Sequence, residues 1–171
     1  MRFIFGVIIG LLIFPTAFYF YCRNGYAPVA TAATPFPFER RLAHLALDAR
    51  IDKEAPKHEP FEPSDADYQN GAHLYMTHCA VCHGSMDQAK TATAKGMFPK
   101  PPELLVGKGV TDDSPGETYW KVSNGIRLSG MPAYGSSLSD KEMWQISLLL
   151  ARADKLPADV QAILKQPLAA Q

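Results

Sequence analysis

The sequence predicts an all-α protein laid out in successive parts: an apolar N-terminal helix, a proline-rich strap and a small helical domain. Three observations carry this. Phe3 to Tyr21 runs without a charged residue. Pro28, Pro35, Pro37, Pro56, Pro60 and Pro63 punctuate residues 22–66, the composition of an extended tether. From residue 67 onward, alternating runs of β-branched and aromatic residues are scarce, which argues against strands.

The first part, residues 1–21, reads as a transmembrane anchor. A helix from Phe3 to Tyr21 spans about 28 Å, close to the hydrocarbon thickness of a bilayer. Tyr19, Tyr21 and Tyr26 lie at one end, where interfacial aromatic rings belong. A cleaved signal peptide is the rival reading. Its small-residue site would be Ala30 to Ala33, well beyond an apolar run already longer than a signal core, so a retained anchor is expected. Gly6 and Gly10 form a G-x-x-x-G pair, the spacing that lets a second transmembrane helix approach closely. Cys22 follows directly and lacks the small residues that precede a lipidated cysteine; it reads as a free thiol at the membrane boundary. Charge leaves the orientation open, because Arg2 is matched by Arg23.

The strap, residues 22–66, contains "FERRLAHLALDARIDKEA", in which Leu42, Leu45, Ala46 and Ala49 recur at helical spacing. One amphipathic helix is expected there, lying on the domain, the membrane surface or a partner. His44 and His58 read as surface residues. Residues 67–155 form the domain, about 90 residues and near the lower end of domain size, and residues 156–171 a tail. With 17 basic and 17 acidic residues the chain is neutral, which gives no support to nucleic-acid binding.

The chemistry concentrates in "CAVCHG", Cys79 to Gly84. Two of the chain's 3 cysteines stand three residues apart with a histidine directly after. On one helical turn, residues i and i+3 share a face. Two thiols placed so can form thioethers to the two vinyl groups of one porphyrin, and His83 then falls under the iron as a nitrogen ligand. A redox dithiol needs a βαβ context that is missing here. A zinc site needs a second ligand pair, and the remaining cysteine, Cys22, lies in a different segment. One covalent haem c, with its iron, is the expected cofactor.

Iron with one histidine keeps an open face, and what fills it separates carrier from enzyme. Met76 and Met86 lie too close to His83 in sequence to reach across a porphyrin, and Met143 sits in an amphipathic helix where packing is the default. Met131 lies in "SGMPAYG", a loop made by glycines and Pro132; Met97, in "GMFPKPP", is its competitor. A thioether favours ferrous iron and closes the sixth site. No nucleophile–base arrangement suggests catalysis.

Tyr68 to Asp154 resembles a class I cytochrome c. The family has a glycine eight residues and an aromatic four residues before the first cysteine; Gly71 and Tyr75 match. "PEL", Pro102 to Leu104, is similar to the family's proline that accepts from the ligand histidine and its haem-packing leucine. The "MP" loop is present at Met131, and "SDKEMWQISLLLARA" matches the final helix, packing on Gly71 and Tyr75 through Ile146 and Leu149. The resemblance implies His83 and Met131 as iron ligands. It also implies Cys79, Cys82, Pro102, Leu104 and Trp120 as cofactor-binding residues, with a ring N–H or hydroxyl of Trp120 or Tyr119 reaching a propionate. Arg127 either neutralises a propionate or is solvated. The implied role is one-electron transport, without an enzyme activity, between a donor such as a quinol-oxidising complex or dehydrogenase and an acceptor such as a terminal oxidase. The alternatives are a fixed subunit of a larger membrane redox complex and a haem sensor. Because bacterial haem attachment takes place outside the cytoplasmic membrane, the domain is expected on the periplasmic side.

Overall fold

The structure, a computed structural model, describes residues 2–106 and 112–168. Regular structure among them is helical: α1 (Arg2–Arg23), α2 (Glu39–Glu54), α3 (Asp65–His78), α4 (Ala80–His83), α5 (Ala92–Gly96), α6 (Pro115–Asn124), α7 (Asp140–Leu150) and α8 (Ala158–Leu164). An isolated antiparallel bridge joins Ile126 and Met131. The all-α expectation holds. The chain divides into two compact units, Met1–Ala43 and His44–Gln171.

In the first unit, α1 is long and apolar enough to cross a membrane, and its span Ile4–Arg23 is not buried by protein. Its large side chains from Ile4 to Phe20 are exposed, an arrangement water would penalise and lipid would not. Pro15 inside the helix removes one N–H donor, which spanning helices tolerate. At its end the Tyr21 ring stacks on Tyr26 at 6.0 Å and meets the edge of Phe36 at 6.3 Å.

The second unit is organised by α3 against α7. Gly71 sits at the contact: a Cβ there would lie 2.5 Å from the Gln145 carbonyl oxygen and 3.4 Å from Leu149 Cβ. Only glycine permits that approach. Tyr75, Ile146 and Leu149 are consequently fully buried, the packing expected from the sequence, with the backbone of Gln145 as the surface Gly71 meets. Both helices start in capping boxes, Ser64 with Asp67 and Ser139 with Glu142, which satisfy first-turn N–H groups and define where each begins. Helix α6 starts at the Ser114 cap with Pro115 in its first turn and packs on α7.

Two segments differ from expectation. The residues expected as a tail contain α8, which lies against α3 with Val160 and Leu164 fully buried. The Leu164 carbonyl accepts from the Met86 N–H at 3.1 Å. Helix α2 forms as expected, but Leu42 and Leu45 are exposed and Ile51 is its buried residue.

Candidate functional site

Helix α3 ends at Cys79, whose N–H reaches the Tyr75 carbonyl at 2.8 Å. The chain re-enters a single turn, α4, with the N–H groups of Cys82 and His83 bonded to the Cys79 carbonyl at 3.1 and 2.9 Å. Gly84, at φ +82°, stops it. Both cysteines are free and partly buried, so two unpaired thiols and an imidazole project from one turn.

Long-range bonds hold this turn in place. The Tyr75 hydroxyl donates to the Gly84 carbonyl at 2.7 Å, and the Tyr134 hydroxyl to the His78 carbonyl at 2.8 Å. Thr91 caps α5 and donates its hydroxyl to the Val81 carbonyl. His83 Nδ1 lies 2.9 Å from the Pro102 carbonyl oxygen. A carbonyl only accepts, so Nδ1 carries the proton and Nε2 keeps its lone pair. Burial lowers the His83 pKa, and the Pro102 bond partly opposes that; the imidazole is neutral at pH 7, the form that binds metal. Burial, with Cys82 beside it, pushes the Cys79 thiol up to about 12. Burial also drives the Tyr75 hydroxyl far above its ordinary range, so the strut to Gly84 stays protonated.

Met131 sits in a loop stitched to itself. Gly125 adopts φ +65°, and a Cβ there would lie 2.7 Å from Ala133 N and 2.8 Å from Met131 O. Ile126 N–H donates to the Met131 carbonyl at 3.2 Å; the Ser129 hydroxyl donates to Ile126 O at 2.7 Å and accepts from Met131 N–H at 3.2 Å. Tyr134 N–H then bonds Val122 O at 2.9 Å, pinning the loop to α6. Gly130 is at φ +81° with Met97 Cε 2.9 Å from where its Cβ would be, so the competing methionine stands beside the loop itself.

The structure therefore brings Cys79, Leu104 and Met131 against one hydrophobic core and joins Pro102 to His83. Trp120 is engaged elsewhere: its indole N–H donates to Glu54 at 3.1 Å. Tyr119 donates to Asp140 at 2.9 Å and stacks on Trp144 at 4.6 Å. Arg127 is exposed. Tyr134 and Thr91 are positioning residues that the sequence did not single out; neither lies at a spacing that announces it.

The residues fit a covalently held haem. Two free thiols share a turn with a neutral imidazole whose Nε2 has no partner among the described residues, and a thioether rests on the same core. Among the described residues no three His, Cys, Asp or Glu side chains converge as a metal site.

Residues 66–149 match the family model described as cytochrome c oxidase, cbb3-type, subunit III. This region is a c-type cytochrome domain, and such a domain carries haem c in covalent linkage. No curated protein matches the chain. Among solved structures it is similar to a chain of the reducing HAO-like protein complex of Kuenenia stuttgartiensis, with 22% identity and a TM-score of 0.48, over 60% of this chain and 53% of that one. It spans about half the length of that chain.

Proposed function

We propose that the protein is a membrane-anchored, single-haem electron carrier. The observation that carries the site assignment is the His83–Pro102 bond, which leaves Nε2 as the free donor next to two unpaired thiols. In this reading Cys79 and Cys82 would form the thioethers, and His83 and Met131 would supply the chain's two donors to the iron. Leu104 packs on the ring, and Pro102 holds the imidazole plane and raises its basicity. Trp120 would join this set by giving a propionate the N–H that Glu54 accepts here.

The bound iron supplies a one-electron couple between its ferric and ferrous forms. The chain's own contribution is to keep that couple rigid and closed. Tyr75 and Tyr134 fix the two ends of the attachment turn, and the Gly125–Tyr134 stitching presents Met131 as a second donor. A thioether from Met131 would bias that couple towards ferrous iron and, together with His83, would leave small molecules no open place on the metal, which favours transfer between redox proteins. Helix α1 anchors the chain in a bacterial cytoplasmic membrane, with the haem domain on the periplasmic side.

Met131→Ala tests this. Wild-type ferric protein should be low-spin with the weak long-wavelength absorption band of thioether ligation, and the reduced protein should bind carbon monoxide slowly. The variant should lose the band and bind carbon monoxide rapidly. Loss of the band on Met97→Ala instead would move the ligand to the neighbouring methionine. A high-spin wild-type protein would overturn the carrier reading.

A second reading, a fixed subunit of a membrane redox complex, is favoured by the description of the matching family as an oxidase subunit. Purification in mild detergent separates the two. Stoichiometric co-purification with an oxidase supports the subunit, and a lone haem protein the tethered carrier.

A further inference from the structure

Helix α2 carries two apolar faces, and one of them is exposed among the described residues. Leu47 and Ile51 share one side of the helix; Leu47 is partly buried and Ile51 and the following Ala55 are buried. On the opposite side, Phe38, Leu42, Leu45 and Ala49 fall in a narrow stripe, the first at the helix entry. Phe38 is 70%, Leu42 63% and Leu45 68% exposed. An exposed apolar stripe of this kind on a surface helix is costly in water and marks a contact.

The first unit indicates what covers it. Phe36 packs its ring edge on Tyr21, the last aromatic residue of α1. Phe36 N–H donates to the Glu39 carboxylate at 2.9 Å and Glu39 N–H to the Phe36 carbonyl at 3.1 Å, a closed turn at the start of α2. Phe38 inside that turn adopts φ +66°, a left-handed conformation costly for a large side chain. The turn thus ties the first residues of α2 to the end of the apolar helix, at the depth where tyrosine rings meet headgroups. Arg41 flanks the stripe, a residue type whose stem can lie along apolar surface while its head stays in water.

We propose that the stripe Phe38–Leu42–Leu45 is embedded in the interface of the same bilayer that α1 crosses, so that α2 lies along the membrane surface as an interfacial helix. The occupant of the face is lipid. The opposite side carries Leu47 and the buried Ile51. The proposal rests on the reading of α1 as a spanning anchor.

The test uses the full-length holoprotein with Cys22→Ser, since Cys79 and Cys82 are consumed by haem. Single nitroxide labels are placed at Leu12→Cys, Arg40→Cys, Leu42→Cys, His44→Cys and Leu45→Cys, all at exposed positions. The protein is reconstituted into vesicles of phosphatidylcholine and phosphatidylglycerol, and collision rates with oxygen and with a water-soluble nickel chelate are measured. The expected oxygen-to-chelate ratio is severalfold higher at positions 42 and 45 than at 40 and 44, and highest at 12. A lipid-like label at 12 with chelate-accessible labels at 42 and 45 overturns this proposal and leaves the anchor standing. Labels at 42 and 45 that neither reagent reaches mean a protein covers the stripe, which also overturns it. A chelate-accessible label at 12 removes the anchor reading and the proposal together.

Discussion

The attachment turn and the methionine loop both present a side chain to the same region, by different means. From Tyr75 to His83 the backbone is helical apart from the turn at Cys79, its N–H groups reach carbonyls four or fewer residues back, and tyrosine hydroxyls bond the Gly84 and His78 carbonyls. From Gly125 to Gly135 there is no helix. The loop is held by two left-handed glycines, one serine bonded at both donor and acceptor, and backbone bonds to α6. The first arrangement inherits its rigidity from α3 and α7. The second depends on a few local contacts, each removable on its own. Damage to the first should therefore cost the whole holoprotein, and damage to the second should open the iron while the fold survives.

The largest effect is expected from Cys79→Ser with Cys82→Ser. Without thioethers, haem is held by packing and axial bonds alone. Acid–acetone extraction, which leaves haem c on the wild-type chain, should find essentially no covalently bound haem. Covalent haem surviving both substitutions would contradict the attachment assigned to this turn.

Gly71→Ala comes next. Its Cβ would meet the backbone oxygen of Gln145 at 2.5 Å, and backbone cannot rotate away as a flexible side chain can. Helices α3 and α7 must separate, at about 1–3 kcal/mol as overpacking. Thermal unfolding of the holoprotein should shift down, and the Cys79–His83 side should loosen with it. An unchanged melting temperature would mean that the two helices slide freely past each other.

Gly125→Ala probes the other side. A Cβ there meets backbone atoms of Met131, Pro132 and Ala133 within 2.8 Å, and the backbone is left-handed. Loop displacement, rather than loss of the core, is the expected relief. Carbon monoxide binding to the reduced protein should accelerate severalfold while covalent haem content stays at the wild-type level. If the melting temperature falls as far as in Gly71→Ala while carbon monoxide binding is unchanged, the contrast between the two sides fails.

How far the sequence foretold this architecture follows the range of each interaction. The attachment turn was legible because its chemistry needs residues at fixed short spacing, and Gly71 and Tyr75 because both stand on the same helix as Cys79. Glycines and a proline announced the Met131 loop. What escaped was long-range. Tyr134 meets His78 across 56 residues, Gln88 meets Gln166 across 78, and Trp120 finds Glu54 across 66. No local pattern encodes such pairs. Helix α8 was missed because its residues, flanked by prolines, read as a tail until α3 supplies the face that Val160 and Leu164 bury. The stripe in α2 was visible as a period, but its exposure and the burial of Ile51 are set by the surroundings rather than by the period.

The smallest effect concerns acid. Asp67 joins the start of α3 to α7: it accepts from Ser64 at 2.6 Å and from the buried Gln145 amide at 2.9 Å, with Lys141 at 3.4 Å. The Ser64 and Gln145 bonds, with a lesser part from Lys141, hold its carboxyl well below the usual carboxylate range. Because the folded-state pKa is depressed, the stabilisation is complete above the ordinary value of 3.8 and is lost as pH falls below it, where the unfolded chain takes up a proton that the folded chain refuses. Asp67→Asn should therefore make stability less steep in pH below 3.8, by at most about one proton. Among the described residues the Met131 loop has no carboxylate in its bonds, so its long-wavelength band should hold constant across the same range until the whole domain unfolds. Chemical denaturation at a series of acid pH values, followed by both the band and helical circular dichroism, checks the point. A band that fades before the helices melt would place an acid-sensitive group on the loop side and reverse the assignment made to Asp67.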